Sequence, residues 1–252
     1  MSRAVDVTTS VIASTLRGWR GTAGSKSVQL PAERPMLFDR EGDPDCRLVR
    51  EALTELNLDA DIYPVPVDGK RHLEALKRLA GTEHLPFLFD PNTGGKHTGA
   101  DAIIAYLFRR YANSEPPAAL KPSLMNTLSS SMASRVRGDA GLTVRASRPA
   151  EKMLTLYSFE SSPFSRLVRE RLCELEIAYT VINLGKQQKS DMGPAKARWT
   201  LKPYQPLPGT KRDMFFQRHG DVMVPYLDDP NTGTGLFESA DILVYLDKQY
   251  SV

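Results

Sequence analysis

The sequence predicts an α/β fold made of two tandem copies of one unit, and two observations carry that prediction. The first is a stretch that occurs twice. Residues 85–107, LPFLFDPNTGGKHTGADAIIAYL, and residues 224–246, VPYLDDPNTGTGLFESADILVYL, share Asp-Pro-Asn-Thr-Gly at the same place. Each copy reads as an apolar residue before Pro, a short apolar strand, a turn, a second short segment and an amphipathic helix ending in Tyr-Leu. Pro presets φ while Asn and Gly tolerate positive φ, so the shared pentapeptide is a turn with a mechanism. A match of that length, followed by a matching helix, marks an internal duplication. The second observation is composition: 252 residues, 41% apolar and 25% charged, suit globular domains, and a domain is typically about 100–150 residues long. The expected division is 1–115 and 116–252.

The charge is mild. A formal net charge of +3 comes from basic residues interspersed with acidic ones, which does not point to nucleic acid. No apolar run approaches the ~20 residues that a bilayer span needs, and no signal peptide opens the chain. Cys46 and Cys173 occupy non-equivalent places in the two repeats. A disulfide framework is therefore not expected, and a reducing, cytoplasmic compartment is.

At the start, Ile12, Leu16 and Trp19 fall on one face of a short helix that stops near Gly18 and Gly21. Residues 13–18, ASTLRG, return as 133–138, ASRVRG, so the repeat includes this leading helix. It reads as an amphipathic tail packing on the neighbouring domain. The alternative, an organelle transit peptide over residues 1–34 that would place the protein in a plastid or other organelle, fits a duplicated segment poorly.

Next come a strand at 36–38 and a helix at 44–56, matched by 153–157 and 163–175. Val49, Leu53 and Leu56, like Val168, Leu172 and Leu175, form the buried stripe. Arg47 with Glu51 and Arg166 with Glu170 are spaced i, i+4 and read as solvated pairs. Second strands follow at 60–67 and 178–184. The first copy then has a plain helix, whereas the second carries about 20 extra residues before its apolar-Pro step. This insertion, 186–221, holds eight Lys or Arg against three Asp, with Trp199, Tyr204, Phe215 and Phe216. It reads as a solvated loop around an aromatic cluster, or as a lid or a surface for an acidic partner.

The order strand, helix, strand, helix, Pro, strand, turn, strand, helix is that of a thioredoxin-like domain. Both copies resemble the glutathione-binding N-terminal domain of glutathione transferases, itself glutaredoxin-like. The loop and helix start in YSFESSPFSRLVR, residues 157–169, are similar to the Ser-Pro-Phe of serine-type transferases, and Val-Pro followed by Glu-Ser resembles their glutathione site. The resemblance implies tandem thioredoxin-like domains without the helical C-terminal domain of those enzymes, so an electrophile pocket would have to form between the domains or from the insertion.

It also implies a site in the second copy. Val224, before Pro225 in a cis bond, would hold the cysteinyl part of glutathione as an added strand. Glu238 and Ser239, at a helix start, would hold the γ-glutamyl amino and carboxylate groups. Ser162 would hydrogen-bond the glutathione sulfur and favour its thiolate, with Phe164 beside it. Capping alone also accounts for Ser162 and Ser239. In the first copy Thr98 and Gly99 stand opposite Glu238 and Ser239, so that copy is expected to be degenerate. No metal is expected.

The expected function is thus that of a glutathione-binding, transferase-like protein activating the thiol with Ser162. The alternatives are a non-catalytic binding or scaffold protein, whose domains form an intramolecular pseudo-dimer or meet a protein partner, and a monothiol oxidoreductase using Cys46. That cysteine sits one turn inside a helix start, where the dipole and Arg47 would lower its pKa, and it reads equally as a small buried residue.

Overall fold

The computed structural model describes residues 3–25, 28–121 and 123–252. Residues 1, 2, 26 and 27 of the leading segment and Pro122 of the linker lie outside that description. The first repeat contributes α1 (Arg3–Leu16), β1 (Met36–Asp39), α2 (Pro44–Glu55), β2 (Ala60–Pro64), α3 (Leu73–Ala80), β3 (Phe87–Asp90), β4 (Gly95–Thr98) and α4 (Ala100–Ala112). The second contributes α5 (Leu124–Val136), β5 (Leu154–Ser158), α6 (Pro163–Glu174), β6 (Tyr179–Asn183), α7 (Lys211–His219), β7 (Tyr226–Asp229), β8 (Thr234–Phe237) and α8 (Ser239–Tyr250).

The strands form one eight-stranded sheet in the order β4-β3-β1-β2-β6-β5-β7-β8. Within each half the first two strands are parallel, joined across a helix, and the last two are antiparallel. The halves meet where β2 and β6 pair antiparallel, Asp61 opposite Thr180. This pairing removes the exposed edge that each half would otherwise present. Alternate strand residues feed opposite faces. Leu37, Ile62, Leu156 and Tyr179 join α2, α4, α6 and α8 in a core that runs through both halves. On the other face Phe38 and Phe87 pack on Leu76 of α3, and Leu184 packs on Phe215 of α7. Part of the expected insertion is therefore the counterpart of α3, and only the stretch before Lys211 is additional.

The repeated turn has a structural use. Asp90 and Asp229 are fully buried. Each accepts from two tyrosines of the following helix, Tyr106 (2.6 Å) and Tyr111 (2.5 Å) on Asp90, and Tyr245 (2.7 Å) and Tyr250 (2.5 Å) on Asp229. Burial works against the charge, but these hydrogen bonds with those from Asn92 and Asn231 hold both carboxyls below their ordinary range.

The leading helices do pack on the neighbouring domain, but one expectation about them, the face they bury, is corrected. α1 lies on α6 and α5 lies on α2, so each leading helix docks on the other repeat, and the two also pack on each other. Ser10 Oγ donates to Pro163 O (2.8 Å) and Ser14 Oγ to Ser161 O (2.8 Å), while Ser130 Oγ donates to Pro44 O (2.7 Å). The buried faces are thus small and polar, Ser10, Ala13 and Ser14 on α1 and Asn126, Ser130 and Ala133 on α5. Ile12 and Trp19, expected to pack inward, are exposed. Close approach explains the choice: small side chains and hydroxyls let the helix seat against the N-terminus of α6.

The i, i+4 pairs expected on solvated faces are instead buried and repartnered. Glu51 binds Arg17 through two bonds (2.8 and 2.6 Å), and Glu170 binds Arg137 likewise (2.8 and 2.6 Å). At the junction, Arg50 Nε meets Glu160 (3.2 Å) and Arg169 Nη2 meets Glu41 (3.1 Å) across the halves, while within them Arg50 Nη1 meets Asp39 (2.6 Å) and Arg169 Nη2 meets Glu160 (2.9 Å). All of these side chains are nearly inaccessible to water. The ions compensate one another across the junction, so separating the repeats would strand buried charges.

Candidate functional site

The strand register gathers the expected site residues at one end of the second half. Tyr157, Tyr226 and Phe237 lie on one rung across β5, β7 and β8. Beyond that rung the chain leaves β5 towards Ser162 and Phe164, enters β7 through Val224 and Pro225, and leaves β8 into Glu238 and Ser239. The expected cis bonds are present at Val224–Pro225 and at Leu85–Pro86. The amide and carbonyl of Val224 make no hydrogen bond among the described residues.

Glu238 is the N-cap of α8 with φ 63° and ψ 119°. A positive φ is uncommon for a residue with a Cβ, and its counterpart in the first half is Gly99 with φ 87°. The shared turn sets that alignment: Glu238 and Ser239 correspond to Gly99 and Ala100, one residue on from the expected Thr98 and Gly99. The first half still lacks both the carboxylate and the hydroxyl. The Glu238 carboxylate faces Lys196 of the insertion at 3.6 Å, both side chains substantially exposed. Ser239 is buried at 1% exposure, and its Oγ has no hydrogen-bond partner among the described residues. A buried hydroxyl without a partner at a helix N-terminus is an open donor where anions are favoured.

Ser162 caps α6. Its Oγ accepts from Ser165 N–H (3.3 Å) and from the Ser165 hydroxyl (2.9 Å). Both lone pairs are then used, and its own proton has no acceptor among the described residues. Ser162 is 3% exposed, and α1 covers the adjoining backbone through Ser10 and Ser14. Phe164, in the first turn of α6, stands partly exposed.

Lys186 has no counterpart in the sequence reading. Its Nζ lies 5.4 Å from the centre of the Phe159 ring in the loop leading to Ser162, and donates to Gly193 O (2.7 Å) of the insertion. Burial, with Arg212 and Arg198 nearby, lowers its pKa to about 8. A basic residue just after a strand is too common a pattern to have marked it.

Cys46 lies in the other half, away from this end of the sheet. Its thiol is fully buried and accepts from Arg40 N–H (3.4 Å). Burial first, and then Asp39 and Asp43, push its pKa well above the ordinary value. Of its two readings, the small buried residue agrees with this burial, while the lowering by the helix dipole and Arg47 is reversed. Cys173 is likewise buried, with its thiol pushed upward. Among the described residues no cluster of His, Cys, Asp or Glu is arranged to hold a metal, and no helix is long and apolar enough to cross a membrane.

Fold and site together define a tandem thioredoxin-like protein with one elaborated half. The family described as glutathione S-transferase, N-terminal domain, matches residues 37–116 and 156–252. The chain belongs to that family, which it carries twice. No curated protein and no solved structure matches it.

Proposed function

We propose that the second half binds reduced glutathione and uses Ser162 to hold its sulfur as thiolate. The observation that carries this reading is the buried Ser239 hydroxyl, unpartnered among the described residues, at the same end of the sheet as Val224 and the cis Pro225. Glutathione is an extended peptide with a free amino acid end. Its backbone would add to Val224 as a short strand, and its γ-glutamyl carboxylate would sit at the N-terminus of α8 on Ser239. Glu238 would face the ammonium, exchanging Lys196 for it. The unplaced proton of Ser162 would then find its acceptor in the sulfur.

Calorimetric titration of reduced glutathione tests this directly. Saturable binding to the intact chain that Ser239→Ala weakens at least tenfold supports the reading; no binding at millimolar glutathione rejects it. Conjugation of 1-chloro-2,4-dinitrobenzene, lost in Ser162→Ala while glutathione still binds, would establish the thiol-activating step.

A second reading, a glutathione-binding protein that performs no conjugation, is favoured by the near-complete burial of Ser162 under α1. Glutathione binding with a conjugation rate indifferent to Ser162→Ala would select it.

A further inference from the structure

The leading helices are inverted in polarity: each buries its small polar face and turns its apolar face outward. Val5 and Ile12 on α1, and Leu124, Met125, Leu128 and Met132 on α5, are all exposed, Leu124 and Met125 to 75%. With Val11 and Trp19 they make up half of the large exposed apolar side chains among the described residues. Because α1 and α5 pack on each other, their outward faces adjoin. Together they expose roughly 700 Å2, above the ~300–600 Å2 of the largest patch on a typical monomer and close to the ~800 Å2 each partner contributes to a standard interface.

We propose that this face is the interface between two copies of the chain, with α1 and α5 of each copy forming a four-helix bundle. Three features select that occupant. Val5 and Ile12 are seven residues apart, as are Met125 and Met132, with Leu128 between and Leu16 and Val136 four further on. That spacing lines up knobs for another helix pair. Residues 7–16 and 124–134 carry no charge, so the complement is itself uncharged and apolar. The Lys and Arg that an interfacial helix uses to hold a lipid surface are missing from these stretches. Finally, α1 and α5 already pack side by side, so a second copy on this face would set two helices against two, the arrangement of a four-helix bundle.

Sedimentation velocity of the full chain over a micromolar concentration series reads the oligomeric state. The expected mass is twice the 28.0 kDa of the chain, falling to that of the monomer in the double variant Ile12→Asp, Met132→Asp, whose substituted positions are exposed. Should that variant fail to fold, Met125→Gln with Leu128→Gln, a milder change on the same face, is expected to weaken the dimer at least tenfold. A monomer at every concentration overturns the proposal, as does a dimer that neither variant weakens. A monomer that co-sediments with phosphatidylcholine vesicles also overturns it and assigns the face to lipid.

Discussion

Ser162 and Ser239 look alike in the sequence, each a serine at a helix start, yet the fold gives them different surroundings. Ser162 is the N-cap of α6 and accepts from Ser165 N–H. At α8 the cap position belongs to Glu238, and Ser239 is already inside the helix with its hydroxyl unpartnered. Removing the hydroxyl should therefore act differently at the two places. Ser162→Ala should cost about 0.5–2 kcal/mol of stability as a lost cap, whatever its role in chemistry. Ser239→Ala should leave the unfolding free energy from urea titration within about 0.5 kcal/mol of the parent, because it removes a group that bonds to nothing among the described residues. Cys46 makes a third residue-scale case. A buried thiol held in its neutral form should resist iodoacetamide in the native protein and react only on unfolding. Rapid modification of the native chain would contradict its burial.

At the scale of elements, the sequence carried the strands and most helices of each repeat, because turn chemistry and the apolar stripe of α2 and α6 are local signals, but it missed α7, whose residues read as part of a solvated insertion. It could not carry the exchange of α1 and α5. A face of Ser10, Ala13 and Ser14 gives no hydrophobic signal, and the residues it binds lie about 150 positions away. The charged pairs misled for the same reason. Arg47 and Glu51 have the spacing of a surface pair, but the partner that claims Glu51 is Arg17, at the end of the leading helix. That pair is buried on both sides, so Arg17→Ala should destabilise by about 3–5 kcal/mol, most of it from the carboxylate left behind. An exposed pair would have cost under about 1 kcal/mol, and urea titration separates the two. Gly21, where the chain returns from α1 on the other repeat towards β1 of its own, has φ 72° and would place a Cβ 2.7 Å from Glu160 Cβ. Only glycine fits that crossing.

The whole molecule is a fused pair, with one sheet and one main core spanning both halves and a buried set of charges at the junction. That set is not fully symmetric, since Asp39 faces Arg50 where Ser158 faces Arg169. Glu160 is buried, but Arg169, Arg50, Arg166 and Arg47 surround it and bring its pKa down to about 2. Glu41 is raised by burial and by Glu160 and Asp39, despite Arg169 and Arg50. The folded chain therefore binds fewer protons at Glu160 than the unfolded chain does between the ordinary glutamate value and about 2. That contribution to stability is complete above the ordinary value and is lost as pH falls to about 2. Glu41 takes up its proton earlier, in the native state, and opposes part of the loss. Urea midpoints measured down that range should fall with pH, and Glu160→Gln, less stable at neutral pH, should fall less steeply. An equal slope in the variant would mean that Glu160 does not control the acid limb.

The duplication and the cis prolines were legible, because each depends on short-range turn and strand patterns. What gives the second half its own character was only partly legible. Glu238 in place of Gly99, and the buried solitude of Ser239, follow from backbone torsion and packing that spacing does not encode. The central claim is that glutathione sits on that half alone. The most direct measurement is an amide-resolved NMR titration of the full chain with reduced glutathione. Saturating shifts at Val224, Glu238 and Ser239, with Leu85, Gly99 and Ala100 unmoved, are the predicted result. Shifts confined to the first half, or none at millimolar glutathione, would contradict it.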